Sequence, residues 1–284
     1  MAADGSLPVV LAPHGEGARA VARRAFALPF SRRARSFARF ALYAAPFFAV
    51  GICYELLRRV IHLRGAIHVG DLYDLEARLF PVHTVDGTLA LSEVIALRQS
   101  TLLDLMCGAT YVVFLLEVFG LGALMFFRVR PKMLAISLGF LLLNLTGWVV
   151  WMLYPAAPPW YVDMYGKGPA LLDAASSPAG LLRLDALLGV PIASTFYSGS
   201  ANVFGAMPSL HVGYATLVAW VLFPLRGGLR AFALLFAVSI AFSAVYLRHH
   251  YILDVVAGAL LALPIAWFSV RAAERLDRLG SEPS

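Results

Sequence analysis

Charge is what this sequence has least of. Only 14% of its 284 residues are charged, against about a quarter in soluble domains, and Lys132 and Lys167 are its only lysines. Cysteine is equally scarce: Cys53 and Cys107 both lie in apolar stretches, which argues against a disulfide or a thiolate-held metal. The polar motifs described below carry no group of acids of the kind that holds Mg²⁺, so no metal and no cofactor are expected. Internal repeats and low-complexity tracts are absent. The formal charge of +6 would suggest nucleic acid in a soluble protein. Here the arginines cluster between apolar spans, as orientation in a bilayer requires, and no nucleic-acid partner is expected.

What the sequence does have is apolar surface: 60% of residues, with a mean hydropathy of +0.76. Lipid is the solvent that suits such a chain. About 20 apolar residues cross a bilayer core, and that rule places spans near 37–56, 102–127, 133–153, 208–225, 229–247 and 251–270. Seven arginines between residues 19 and 39 precede the first run. A loosely matching cleavage site at Ala49-Val50-Gly51 is set against a run long enough to span, which favours a retained helix over a signal peptide. On alternate sides of these spans Lys and Arg number fifteen and eight. The richer side is cytoplasmic, so both termini lie inside and the loops at 57–101 and 154–207 lie outside. The expected fold is all-α: a six-span membrane bundle over 37–271, with a basic, disordered cytoplasmic arm at 1–36 and a cytoplasmic tail at 272–284. The location that fits is a bacterial inner (plasma) membrane, with the active site on its extracytoplasmic face. Residues 68–80 and 86–98 mix acids and apolar residues at helical spacing and read as two short helices at headgroup level.

Three polar clusters meet the outer surface in this topology: Tyr154-Pro-Ala-Ala-Pro-Pro-Trp160-Tyr161, Gly205-Ala-Met-Pro208-Ser209-Leu-His211 and Arg248-His249-His250-Tyr251-Ile-Leu-Asp254. His250 and Asp254 are four apart and share a helix face. A carboxylate on one ring nitrogen fixes the tautomer and leaves the other nitrogen free to attack; a structural His–Asp pair at a helix end is the plainer alternative. Ser209 is a favoured N-cap and first-turn N–H groups bind phosphate, which puts His211 beside an anion as a general acid. Arg248 fits a bidentate phosphate clamp or an interfacial snorkel. His249 has Leu253 rather than a carboxylate four residues on, so it offers a hydrogen bond and not the attack. Tyr154, Trp160 and Tyr161 suit an aromatic belt, while the prolines around Pro158 fix backbone where a substrate headgroup would sit. Asp104 and Glu117, in the second span, have no partner that the sequence names.

Pro208-Ser209-Leu210-His211 resembles the Pro-Ser-Gly-His motif of the type 2 phosphatidic acid phosphatase superfamily, and Ser243 to Asp254 resembles its Ser-Arg-x5-His-x3-Asp motif. The resemblance implies a six-helix core with His250 as nucleophile, Asp254 as its orienter and His211 as leaving-group acid. Leu210 replaces the usual Gly, Ala244 stands at the Arg position, and Tyr-Pro-Ala-Ala-Pro-Pro-Trp replaces the Lys-x6-Arg-Pro stretch. This set is similar to the inositol phosphorylceramide synthase (inositolphosphotransferase) branch. It implies transfer of a phosphoryl headgroup, such as phosphoinositol, from a phospholipid donor to a lipid alcohol. Hydrolysis of phosphatidic acid-like or polyprenyl (di)phosphate lipids differs only in using water as acceptor. A proton-coupled transporter is the distant alternative, and Glu117 alone does not make a proton ladder.

Overall fold

The computed structural model describes residues 32–85, 87–199 and 202–281. The chain divides into a unit ending at Leu42 and a unit from Tyr43 to Ser284; of the first, only the opening turns of α1 are described. Most of the basic arm expected at 1–36 therefore lies outside the described residues. The helices are α1 (Arg32–Val60), α2 (Asp71–Leu79), α3 (Leu91–Leu97), α4 (Thr101–Val112), α5 (Phe114–Arg128), α6 (Arg130–Leu153), α7 (Pro159–Tyr165), α8 (Leu181–Leu188), α9 (Ile192–Ser198), α10 (Leu210–Leu222), α11 (Gly228–Tyr246) and α12 (Ile252–Ser281).

The protein is an integral membrane protein: four helices are long and apolar enough to cross a bilayer, or five if α4 and α5 count as one broken span. Six was the expectation, and the difference lies at 208–225. Pro208 and Pro224 flank that apolar run and confine it to a 13-residue helix, α10. Thirteen residues rise about 20 Å, short of a hydrocarbon core of about 30 Å. Ten of the thirteen are buried, because α10 packs among α5, α6, α11 and α12. Its sides meet protein, so its length is not set by lipid. α6 yields room for it: a Cβ at Gly139 would come within 2.5 Å of Leu217, and one at Gly147 within 2.6 Å of Leu210.

The all-α expectation needs one amendment. Between α2 and α3 runs an antiparallel hairpin, β1 (Pro81–Thr84) with β2 (Gly87–Ala90), in register Pro81↔Ala90 and Thr84↔Gly87. Gly87 takes φ +134° at the turn, a conformation that suits glycine. Four-residue strands between two short amphipathic helices are easily read as part of the helical pattern. A span of α4 and α5 also departs from a straight rod, bending by 49° at Val113.

The N-terminus of α12 is capped by two carboxylates. Tyr251 N–H donates to Asp254 Oδ2 at 2.9 Å, and Ile252 N–H donates to Glu76 Oε2 of α2 at 2.7 Å. Close by, Ser209 N–H donates to the Asp254 carbonyl at 3.0 Å, so α10 begins directly against α12. Gly258 permits this approach: a Cβ there would overlap the Ser209 carbonyl oxygen. Gly258→Ala should cost about 1–3 kcal/mol through overpacking, seen as a lowered Tm; an unchanged Tm and turnover would show that the contact is slack.

Burial raises the Glu76 pKa above its usual 4.5, and the Asp254 charge adds to the rise, while hydrogen bonds from the α12 backbone oppose it. A carboxyl with a raised folded pKa stabilises the fold fully below its unfolded pKa, and that contribution is lost as pH rises through the folded value. Glu76→Gln should keep an acceptor for Ile252 and flatten the fall in Tm above pH 4.5. Glu76→Ala should lower Tm across the range by leaving a buried N–H unpaired, at a cost of about 1–3 kcal/mol. Equal losses in the two variants would remove the capping role.

Candidate active site

Each histidine of the two motifs sits on the lip of a helix. His211 is the second residue of α10, and His249 and His250 close the turn between α11 and α12. That turn is tight because both the His249 and His250 N–H groups donate to the Ala244 carbonyl, at 3.1 and 3.0 Å. Arg248 pays for the turn's shape with φ +62°, a left-handed conformation that costs an L-residue roughly 1–2 kcal/mol. Its carbonyl accepts the Trp160 N–H at 3.0 Å, and the Leu247 carbonyl accepts that of Gly180 at 3.0 Å. The outer loop thus holds the turn by its backbone.

The first cluster is held the same way. His68 and Ala156, and Ala156 and Gly205, form parallel bridges, so three loops lie side by side with the Pro-rich turn in the middle. Ala156 N–H donates to Phe204 O at 3.0 Å, and Ala206 N–H to Ala156 O at 3.2 Å. Prolines in the middle segment leave fewer donors to satisfy, and the remaining N–H groups at 156 and 157 are both used.

The rings of His211 and His250 lie 5.7 Å apart at 59°, close enough to serve one phosphoryl group. His250 Nδ1 stands 3.4 Å from Asp254 Oδ2, a close contact without hydrogen-bond alignment. Catalytic hydrogen bonds are often this long before substrate binds and tighten in the reacting complex. Asp254 is fully buried, with its Oδ1 unpaired among the described residues. Ser209 holds the N-cap position of α10, but its side chain makes no capping bond and its buried hydroxyl has no partner among the described residues.

His249 is packed between the rings of Tyr111 (4.8 Å, 12°) and Tyr197 (4.9 Å, 27°). Its Nε2 lies 3.1 Å from the Pro178 carbonyl, so that nitrogen carries the proton and donates. Burial drives its pKa down to about 3, with the neighbouring His250 adding to the effect. His249 is therefore a neutral, fixed ring.

His211 has a partner that the sequence did not name. Tyr111 Oη lies 3.1 Å from His211 Nδ1, with the two rings stacked at 4.5 Å, and Phe114 meets His211 edge-on at 4.6 Å. Tyr111 is the penultimate residue of α4 and Phe114 begins α5. The break in that span falls between the two rings that hold His211. A hydroxyl can donate to a neutral Nδ1 or accept from a protonated one by rotating, so Tyr111 can follow a histidine through both protonation states. Nothing in the sequence marks it, since an aromatic pair three apart in an apolar run reads as core.

The three histidines open on one cavity of about 590 Å³, lined by many Phe, Tyr and Trp side chains, by Pro158, and on part of its wall by Asn144, Ser176, Ser177 and Asn202. Of the remaining sequence candidates, Tyr154 stacks on His68 at 4.0 Å, away from that lining. Arg248 is also away from it: Asp163 holds its guanidinium in two bonds of 2.7 and 2.5 Å. Burial works against the arginine's charge, but the Asp163 carboxylate more than offsets it and holds the pKa above its ordinary value. Asp104, unassigned from sequence, accepts from Arg183 Nε at 2.7 Å and Tyr246 Oη at 2.8 Å and ties the outer loop to α4 and α11. Glu117 is buried with neither carboxylate oxygen hydrogen-bonded among the described residues. Among the described residues no group of three or more His, Cys, Asp or Glu is arranged to hold a metal ion.

Residues 74–268 match the family model of the PAP2 superfamily. The chain is 35% identical over 228 residues to a phosphoinositol dihydroceramide synthase of Bacteroides thetaiotaomicron, covering 78% of this chain and 73% of that protein. It is 36% identical over 182 residues to an inositol phosphorylceramide synthase of Candida albicans, covering 63% of this chain and 38% of the relative. A Saccharomyces cerevisiae inositol phosphorylceramide synthase catalytic subunit is 40% identical over 123 residues, 43% of this chain and 31% of its own. The chain thus spans most of the bacterial relative's length and well under half of each fungal one's. No solved structure matches the chain.

Tyr111→Phe keeps the ring stack and removes the hydroxyl. Expected is a fall in kcat of about tenfold, the worth of one hydrogen bond of about 1 kcal/mol or slightly more, with KM little changed and a displaced limb in the pH–rate profile. A profile superimposable on that of the native protein would leave Tyr111 a packing residue only.

Proposed function

This chain belongs to the PAP2 superfamily, and on that premise we propose that it transfers a phosphoinositol group from an inositol phospholipid to a ceramide-type lipid alcohol. The names of the relatives carry phosphoinositol and ceramide, and the site has the parts that such a transfer needs. His250 attacks phosphorus through Nε2 while Asp254 holds Nδ1 and stabilises the imidazolium. The bond from phosphorus to the glycerolipid oxygen breaks, and His211 gives that oxygen its proton. In the second half the acceptor hydroxyl loses its proton to His211 and attacks phosphorus, and the nitrogen–phosphorus bond breaks. Each half returns His211 to the state the other requires, which suits a partner hydroxyl such as Tyr111 better than a fixed charge.

The observation that carries transfer over hydrolysis is the aromatic lining around the histidines. A phosphohistidine facing apolar walls meets a lipid hydroxyl more readily than water, because closing out water suppresses the competing attack. Tyr54, Phe119, Phe140 and Trp148 lie on that lining and suit acyl or sphingoid chains. With the excess of arginine on alternate loops, the site faces the extracytoplasmic side of the plasma membrane and both termini face the cytoplasm. In this reading α10 is the sixth helix of the bundle, reaching the outer face with its N-terminus.

Purified protein, given an inositol phospholipid labelled in the headgroup together with ceramide, should form a labelled sphingolipid. His250→Ala should lower the rate by about a thousandfold or more. Labelled inositol phosphate released without sphingolipid would make the protein a hydrolase, and turnover surviving in His250→Ala would remove the phosphohistidine.

A further inference from the structure

Beside the catalytic cavity lies a second one of about 400 Å³, and the two share Ser176 and Val203 as a common wall. The second is lined by Arg64, Ser176 and Ser198 together with Leu172, Ala174, Ala175, Val203 and Phe204, and Arg64 is the one residue of either lining with a fixed positive charge. Arg64 sits 5.1 Å over the ring of Phe204, and among the described residues no carboxylate pairs with it. Partial burial pulls its pKa below the ordinary value, the mark of a charge desolvated without a counter-ion. By contrast, Arg183 pairs with Asp104 and Arg248 with Asp163.

The backbone holds this arginine in place. Gly65 N–H donates to Met152 O at 2.8 Å, and a Cβ on Gly65 would stand 3.1 Å from the Leu153 carbonyl oxygen. Phe204 gives its carbonyl to Ala156 N–H at 3.0 Å. The arginine side is thus anchored to the last turn of α6 and the ring side to Ala156 in the Pro-rich turn, and neither Arg64 nor Phe204 lines the histidines' cavity.

We infer that this second cavity is the headgroup subsite, taking the polyhydroxylated ring of the donor while the histidines hold its phosphorus. The inference rests on the phosphoinositol reading above. A polyol needs donors and acceptors that aromatic walls do not supply. Arginine's fork donates to neighbouring hydroxyl oxygens, and serine hydroxyls both donate and accept. The cavity's size is within the range of small-molecule sites, and an unpaired cation suits a headgroup that arrives joined to an anionic phosphate.

The test uses the full chain in nanodiscs, with ceramide as acceptor and an inositol phospholipid as donor, and two soluble inhibitors, inositol 1-phosphate and inorganic phosphate. Arg64→Met should raise the donor KM and the inhibition constant of inositol 1-phosphate about tenfold, the loss of roughly one charge-assisted contact. Inhibition by inorganic phosphate, which needs only the histidines, should stay within about twofold. Arg64→Lys should fall between, because the charge survives and the fork does not. Should Arg64→Met fail to fold, Arg64→Lys and Ser176→Ala carry the same comparison. Equal changes for the two inhibitors, or no change for either, would overturn the subsite while leaving the transfer reaction standing. A native protein that makes no inositol sphingolipid would instead overturn the reading on which the subsite rests.

Discussion

One backbone hydrogen bond, from Ser209 N–H to the Asp254 carbonyl, fixes the distance between the two halves of the proposed chemistry. It joins the residue before α10 to the first turn of α12, so the helix bearing His211 and the helix that orients His250 cannot drift apart. Gly258 one turn later is the steric condition for that bond, since any side chain there meets the Ser209 carbonyl. The rest of the outer half depends on it. Once α10 and α12 are locked, the turn at 247–251 has a fixed place, and the outer loop binds that turn through Trp160 and Gly180. Cavity walls built from α1, α5 and α6 then close around histidines that are already set.

Acidic side chains here are used mainly to hold structure. Glu76 and Asp254 cap α12, Asp104 joins Arg183 and Tyr246, and Asp163 fixes Arg248. In a medium where an unpaired charge is expensive, each of these carboxylates has found a donor. Neutral aromatic rings do the positioning around the histidines themselves. Tyr111 and Phe114 hold His211, while Tyr111 and Tyr197 hold His249. A charged partner would bias a histidine to one protonation state; a phenol does not, and a group that must give a proton and then take one back is better served by it.

The sequence was most legible where spacing carries the geometry. His211 after Pro208-Ser209 is a local relation that the start of α10 converts into placement, whereas His250 lies in the turn before α12 and comes within 3.4 Å of Asp254 from outside the helix. Four of the six spans were legible as continuous apolar runs, and the second as the run that breaks at Val113. The exception at 208–225 shows the limit: hydropathy records that a segment avoids water but not whether lipid or protein surrounds it, and α10 is surrounded by protein. Partners distant in sequence left no trace. Tyr111 and His211 are 100 residues apart, Arg248 and Asp163 are 85, and Glu76 and Ile252 are 176. Arg248 illustrates the cost of reasoning without them, since a buried guanidinium beside two histidines suits a phosphate clamp until Asp163 is seen to hold two of its nitrogens.

The scarcity of free cations at the site follows from the substrate that the fold is proposed to handle. A phosphomonoester carries a charge of about −1.5 to −2 at neutral pH, and an enzyme that stabilises its transfer needs several fixed positive groups. A phosphodiester keeps one negative charge, because its second oxygen is esterified. Ala244 at the position where the family motif has arginine, and the Pro-rich turn in place of its Lys-x6-Arg-Pro stretch, remove positive charges that a monoester would require. With Arg183 and Arg248 bound to carboxylates, the proposed reaction leaves the charge on phosphorus to the two histidines, His250 and His211. Such a site matches a diester best, and a diester is what a headgroup-transferring enzyme both consumes and produces.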